Sequence, residues 1–510
     1  MIGFGLLAPL AAAQTADEVN VWPFSVTQIG PSGAAESWSG LGPFLFKYTL
    51  NPAAPVPSAA LRHAGGEQPA QPGDEVSGFR PLYVQRHLPD GTLAEVTVLY
   101  PLYYWRDYGD YYKWSIFSLI NRYNRKAGLG PDVNPEGRTL DIWPFYFSRQ
   151  GPDAQSSYEG FFPIAGSIQG FLGYDRVQWV LFPLWGQSEK ANATTTYTPW
   201  PIIRNITGAE HGFAVWPLFG HVERPGVFTR KYFLWPLTWN NTIQPSDDKP
   251  PGTPPKREVG FLPFYTAEHG PDIVSENYLW PFFGYTDRVA PYRYHETRYF
   301  WPFLVQGRGD NLYVNRTGPF YTHSIRKGVD KTWVMWPLWR RMTWTDEDLV
   351  QTKTQFFYFL YFDAEQRSAS NPGIPPARKT FFWPFCSIWD NGAGRRQFQA
   401  PGLFDVFFPD NENIRESWTP LTVLIRHSET PDGAARTSLL WNAVTWQRAP
   451  GEGGSQFHLG PLLEVERKPE GRRIALGSGL IGLKRSPGGG WHLFCMEFSR
   501  RPDKKTSLAQ

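Results

Sequence analysis

The residues able to do chemistry are scattered along this chain. Ten histidines occur singly. One of them opens His295-Glu296-Thr297-Arg298, which lacks the second histidine of the H-E-x-x-H metalloprotease string. Asp346-Glu347-Asp348 and Asp410-Asn411-Glu412-Asn413 could offer oxygen ligands to calcium, but neither has the full spacing of a calcium loop, and a solvated turn is the favoured reading. Glycoside hydrolysis needs two acids at a defined separation across a cleft, a distance that an acidic pair in sequence does not report, and no candidate dyad stands out. No nucleophile elbow, phosphate loop or dinucleotide fingerprint occurs in a strand-turn-helix setting. Gly488-Gly489-Gly490 reads as a flexible turn and Arg308-Gly309-Asp310 as ordinary turn residues. The expectation is a non-enzymatic chain with no catalytic, cofactor-binding or metal-ligating residues.

Composition narrows the class further. The 510 residues carry 50 Lys and Arg against 47 Asp and Glu, spread evenly, so there is no basic stripe of the kind nucleic acid needs. Two cysteines, Cys386 and Cys495, are too few for a disulfide scaffold, and each sits in an apolar run. Buried free thiols are expected there, with a single disulfide between the two as the alternative. Apolar content is concentrated in aromatic residues, 23 Trp, 24 Tyr and 37 Phe. Such side chains carry large burial and also favour wet interfaces and membrane girdles.

What positions these aromatics is a repeat. Val215-Trp216-Pro217-Leu218-Phe219, Leu234-Trp235-Pro236-Leu237, Leu279-Trp280-Pro281-Phe282, Phe300-Trp301-Pro302-Phe303 and Met335-Trp336-Pro337-Leu338 are copies of one phrase. Trp22-Pro23, Trp143-Pro144 and Trp383-Pro384 carry it beyond this central block, and weaker copies bring the count to about twenty. In the central block the prolines fall at 183, 201, 217, 236, 263, 281, 302, 319 and 337, a period of about nineteen residues. The one long interval, 236 to 263, contains a Pro- and Gly-rich insertion over 245–256.

Apolar and polar residues alternate around the phrase, and turn strings such as Arg224-Pro225-Gly226 separate the units, which predicts strands and turns. A helical reading would place a helix-breaking proline in every unit, at about 3 kcal/mol each. Connections this short favour an antiparallel meander. Because proline cannot donate to a ladder, the phrase is predicted to mark a corner where one strand ends and the next begins. Around it both faces read as apolar, with Tyr232, Leu234 and Pro236 on one and Phe233, Trp235 and Leu237 on the other. The fold class expected is all-β, about twenty strand or hairpin repeats in a closed or barrel-like sheet.

Residues 14–498 are read as a single β-repeat domain, with a flexible loop over 51–77 and the loop at 245–256. One helical insert is predicted near 115–127, from Ile116, Leu119, Ile120 and Tyr123 on one face and Gly128 as a stop. Trp418-Thr419-Pro420-Leu421 is read as a late copy of the corner, and 499–510 as a polar tail. Residues 1–13, a short apolar run ending in Ala11-Ala12-Ala13, read as a secretory signal that lacks a positive n-region, with an apolar first strand as the alternative.

In its tandem Trp/Phe-Pro-Leu/Phe phrases the chain resembles a group of uncharacterised exported bacterial proteins with aromatic-proline β repeats. The resemblance implies an envelope location and a β-rich fold, and it transfers no catalytic residue. The leading expectation is an envelope protein with a barrel-like sheet at the outer membrane, structural or passing a small molecule, with outer-membrane lipid and an amphiphilic small molecule or glycan as partners. The alternative is a soluble secreted or periplasmic protein that binds glycan or lipid. The corner aromatics are expected to pack core and corners, or to serve as exposed platforms for sugar or lipid.

Overall fold

The alternation around each phrase does build strands. The computed structural model describes residues 17–30, 35–50, 73–109, 111–125, 138–151, 153–246, 249–409, 411–451 and 453–498. Among the described residues there are 45 strands and two short helices. The strands run from four to eight residues and belong to one antiparallel sheet that follows chain order. Asp17–Val21 pairs with Ser25–Ile29 at the start, and Ile481–Arg485 with Trp491–Cys495 at the end. Among the described residues no hydrogen-bonded ladder joins the last strand to the first, so the expected closure is not made by the sheet.

One repeat is a hairpin. Strand His211–Val215 runs into the corner, Phe219–Arg224 runs out of it with Val215 opposite Phe219, and a turn at the far end leads to Phe228–Phe233. Two strands of five or six residues, a corner and a far-end turn account for the nineteen-residue period. The far-end turns vary in length. The tightest are two-residue reversals such as Ala191-Asn192, with φ of 49° and 63°, and Lys327-Gly328, with φ of 49° and 78°. Positive φ at both central residues matches the right-handed twist of the flanking strands.

The chain forms two compact units, Leu119–Thr345 and the remainder, Met1–Ser118 with Asp346–Gln510. In the first of these, Phe147, Ile168 and Trp179 form a buried cluster, flanked by Tyr158, Phe162, Val177 and Phe182. Glycines in the strands make room for such rings. A Cβ on Gly260 would lie 2.3 Å from the Trp239 ring directly opposite, and one on Gly220 would lie 2.3 Å from Tyr232. The bare backbone accepts an aromatic plate that any side chain would expel. In the other unit Phe46, Tyr48, Leu50, Val76 and Val84 form the apolar cluster.

Three local expectations are corrected. The stretch read as a helix near 115–127 is strand Tyr111–Ile116, a turn, and strand Ile120–Arg125; residues 126–127 lie outside the described residues. Phe117 and Ser118 take φ of 51° and 58°, so this is a corner that has lost its proline, and a two-residue reversal inside an alternating pattern imitates helical spacing. Trp418-Thr419-Pro420-Leu421 is not a corner: it joins helix α1 (Glu412–Ser417) to helix α2 (Thr419–Thr422). The loops read at 51–77 and 245–256 are shorter, because strands begin at Glu75 and Lys256. Residues 1–13, 51–72 and 499–510 lie outside the described residues.

Candidate functional site

The eight Trp-Pro pairs singled out in the sequence all occupy corners, and the peptide bond before each of Pro23, Pro144, Pro217, Pro236, Pro281, Pro302, Pro337 and Pro384 is cis. Proline stands in the reversal itself, where no ladder bond is asked of it. The amide of Phe24 donates to the Val21 carbonyl at 3.0 Å across the turn. Phe145, Leu237, Phe282, Phe303, Leu338 and Phe385 repeat that bond at their own corners. The two-faced alternation read around Tyr232 to Leu237 stops at Phe233, because Leu234 has a φ of 52° and begins the turn.

Successive corners are also bonded to one another. In the unit Leu119–Thr345, Trp143 donates to Leu119, Phe162 to Phe145, Phe182 to Pro163, Trp200 to Pro183 and Trp216 to Ile202. Trp235 to Pro217, Leu262 to Leu237, Leu279 to Phe264, Trp301 to Phe282, Gly318 to Phe303 and Trp336 to Pro319 continue the series, all at 2.5–2.8 Å. A meander places alternate connections at opposite edges. The corners of this unit therefore form one continuous hydrogen-bonded row along a single edge.

That row is apolar and open. The indoles of Trp143, Trp216, Trp235, Trp280, Trp301 and Trp336 are 41–60% exposed, and the neighbouring Phe233 and Phe320 exceed 60%. Trp22 and Trp383, in the other unit, are half-buried, and the Trp383 Nε1 donates to the Leu403 carbonyl at 3.2 Å. Stepping away from the corner, the outward face turns polar at once. On Phe219–Arg224 the exposed series is Phe219, His221, Glu223, and on the paired strand Lys231 follows Phe233. On Leu304–Gly309 it is Leu304, Gln306, Arg308. The apolar band is the row and one or two residues behind it.

The remaining sequence motifs do not converge on this edge. Both cysteines are free, but neither is buried: Cys386 is half-buried and Cys495 exposed. Burial raises the Cys386 thiol pKa. Asp348 accepts hydrogen bonds from Ser368 and Ser370, and Asn411 caps α1 by accepting from the Ile414 amide at 3.0 Å. The first oxygen-rich string thus serves a turn, whereas the described part of the second, 411–413, caps and begins α1 in place of the expected solvated turn. Among the described residues no group of three or more His, Cys, Asp or Glu side chains is placed to hold a metal.

Sequence reasoning missed a buried ionic interior in the unit that contains both chain ends. Glu18, with its side chain fully enclosed, receives Nε and Nη2 of Arg436 at 3.1 and 3.0 Å. Asn20 donates to Glu18 at 3.0 Å and to the Asn442 carbonyl at 2.9 Å, so the first strand meets strands more than 400 residues later through side chains. Burial works against ionising Glu18, yet Arg436, His458 and the Thr445 hydroxyl together hold its carboxyl below the usual range. Around α1 the balance is reversed. Burial, then the like charges of Glu412 and Glu95, push Glu416 up to about 8, against the Tyr48 bond and Arg80. Tyr48 donates to Glu416 at 3.0 Å, Trp418 Nε1 to the Tyr100 carbonyl at 2.7 Å, and Arg86 pairs with Asp74 at 2.7 Å. One sequence signal was present: Phe79-Arg80-Pro81-Leu82 has the corner phrase with arginine in the tryptophan position.

No protein-family model matches the chain, and no curated protein is found similar to it.

Proposed function

We propose that this chain is a non-enzymatic, exported protein of the bacterial envelope that rests on a lipid surface through its row of corners. The observation that carries the reading is the continuous edge of exposed Trp, Phe and Leu, bonded corner to corner, with polar residues beginning two positions behind it and charged ones two to four behind. Three residues of strand rise about 10 Å, which matches the roughly 5–10 Å to which interfacial segments bury their apolar faces. A strand crossing a bilayer needs about 9–11 residues and an apolar band near 25 Å. Five- and six-residue strands with Lys231 and Glu223 facing outward favour resting on the surface over crossing it. The apolar N-terminal run and the resemblance to exported repeat proteins support the envelope address.

The energetics are sufficient. Half-exposed aromatic and leucine side chains each leave on the order of 50–100 Å² to bury, worth about 1–2.5 kcal/mol apiece at ~25 cal/mol/Å². A corner with Phe233, Leu234, Trp235 and Leu237 open to solvent then contributes several kcal/mol when immersed, and corners recur along the edge. The test is flotation of the purified chain with phospholipid vesicles, followed by tryptophan quenching with lipids brominated at shallow or deep acyl positions. Flotation with quenching confined to shallow bromines is the expected result. Failure to float, without quenching, would return the chain to the soluble glycan- or lipid-binding reading; equal quenching from deep bromines would mean a spanning barrel.

A further inference from the structure

The unit containing both chain ends holds a cavity of about 160 Å³, partly open to solvent and lined by strands from its two sequence segments and by α2. Three arginines, Arg80, Arg426 and Arg436, share its wall with serine hydroxyls and the indoles of Trp38 and Trp441. Only one of the three has a carboxylate partner among the described residues: Arg436 is held by Glu18. Arg80, 6% exposed, gives its guanidinium to two backbone carbonyls, Glu416 at 2.5 Å and Pro43 at 3.2 Å, and lies 3.4 Å over the Phe46 ring. These contacts orient the charge without cancelling it. The Arg426 Nε is buried and has no hydrogen-bond partner.

The nearby acids repair the imbalance only in part. Glu416, with its carboxyl pushed up to about 8, is mostly protonated at neutral pH. Asp405 attracts Arg426 electrostatically, but its hydrogen bonds go to neutral groups, accepting from Ser387 at 2.6 Å and Gln399 at 2.7 Å rather than from the guanidinium. The arginines meanwhile feel each other: burial, and then a like-charged neighbour, lower Arg426, and burial with a contribution from Arg426 lowers Arg80, each to about 10, so both stay cationic at neutral pH. Largely enclosed guanidinium groups with incomplete counter-charge are unfavourable and are stabilised when something anionic joins them. Guanidinium forks and hydroxyls are the donor set that oxyanions accept.

We propose that this cavity is a binding site for one small oxyanion, a phosphate or carboxylate group carried on a molecule of single-ring size or smaller. A cavity near 150 Å³ holds a benzene-sized guest, which sets the scale of the part of the ligand that enters. Arg426 and Arg80 supply the charge, serine hydroxyls the remaining donors, and the two indoles an apolar wall for whatever carries the anion. This site is independent of the lipid-resting edge.

The experiment uses the purified full chain at constant ionic strength. Inorganic phosphate, glycerol phosphate and glucuronate are titrated separately by calorimetry, with chloride as the control, and thermal unfolding is followed in parallel. At least one oxyanion is expected to bind with a stoichiometry of one and to raise the unfolding midpoint in proportion to the logarithm of its concentration. Which arm binds distinguishes free phosphate from a carried phosphate or a sugar acid. Arg426→Met is expected to weaken that binding at least tenfold while folding in the absence of anion, since it removes a charge that makes no ion pair among the described residues; Arg426→Lys should retain part of it. Absence of saturable binding in all three arms, or equal binding by the wild type and Arg426→Met, would overturn the proposal.

Discussion

Replacing Glu416 by glutamine tests the buried electrostatics most directly. Glu416 lies on α1, accepts a 3.0 Å bond from Tyr48 and sits near Glu412 and Glu95. Its carboxyl is lifted from the ordinary 4.5 to about 8, so the native state holds this proton more tightly than the unfolded chain does. The associated stability is complete below pH 4.5 and is lost as the pH rises through about 8. At 1.36 kcal/mol per tenfold change, the ceiling on that loss is roughly 5 kcal/mol. Repulsion shared with Glu412 and Glu95 can be relieved by protonating either neighbour instead, so about 2–3 kcal/mol is the working expectation at pH 9. Glutamine keeps an oxygen for Tyr48 and carries no charge. Urea and thermal midpoints measured at pH 4, 7 and 9 should therefore coincide at pH 4, with E416Q the more stable at pH 9. A variant equal to or weaker than the wild type at pH 9, or two parallel pH profiles, would refute the reasoning.

Two further outcomes are expected. Gly260→Ala would push a methyl group to 2.3 Å from the Trp239 ring and should cost about 1–3 kcal/mol, read as a lower unfolding midpoint; an unchanged midpoint would show that the ring does not need the bare backbone. Arg436→Met would strand the enclosed Glu18 carboxylate and should cost about 3–5 kcal/mol at pH 7 by chemical denaturation. Because the native Glu18 pKa is depressed, its contribution exists above pH 4.5 and disappears as the pH falls below it, so the penalty should shrink in acid; a pH-independent penalty would contradict this.

The corner was legible because it is local. Proline excludes itself from a ladder, tryptophan and phenylalanine flank it, and the period repeats the same argument at Pro217, Pro236, Pro281, Pro302 and Pro337. Where a copy lost its proline, at Phe117-Ser118, the local signal was ambiguous and spacing alone imitated a helix. Where the chain kept Trp-x-Pro but surrounded it with helix formers, at Trp418 to Leu421, the phrase misled in the other direction. Exposure of the corner aromatics could not be read, since an apolar edge in water and an apolar core have the same composition. The ionic interior was hidden for a different reason: Arg80 and Glu416 stand 336 positions apart, and Glu18 and Arg436 stand 418 apart. No pattern within a repeat reports on partners brought together by the packing of distant repeats.

The row of corners separates what the chain can vary from what it must hold constant. The longest interval in the central block, from Pro236 to Pro263, carries its insertion between strands Thr238–Ile243 and Lys256–Phe261, away from the corners, and the Leu262 amide still reaches the Leu237 carbonyl at 2.7 Å. Spacing along the apolar edge is set by two strand widths, about 10 Å per hairpin, whatever the length of the loop opposite. A lineage could thus graft new segments onto the far rim, or duplicate a hairpin outright, and each duplication would lengthen the apolar edge by one fixed step without redesigning any existing contact.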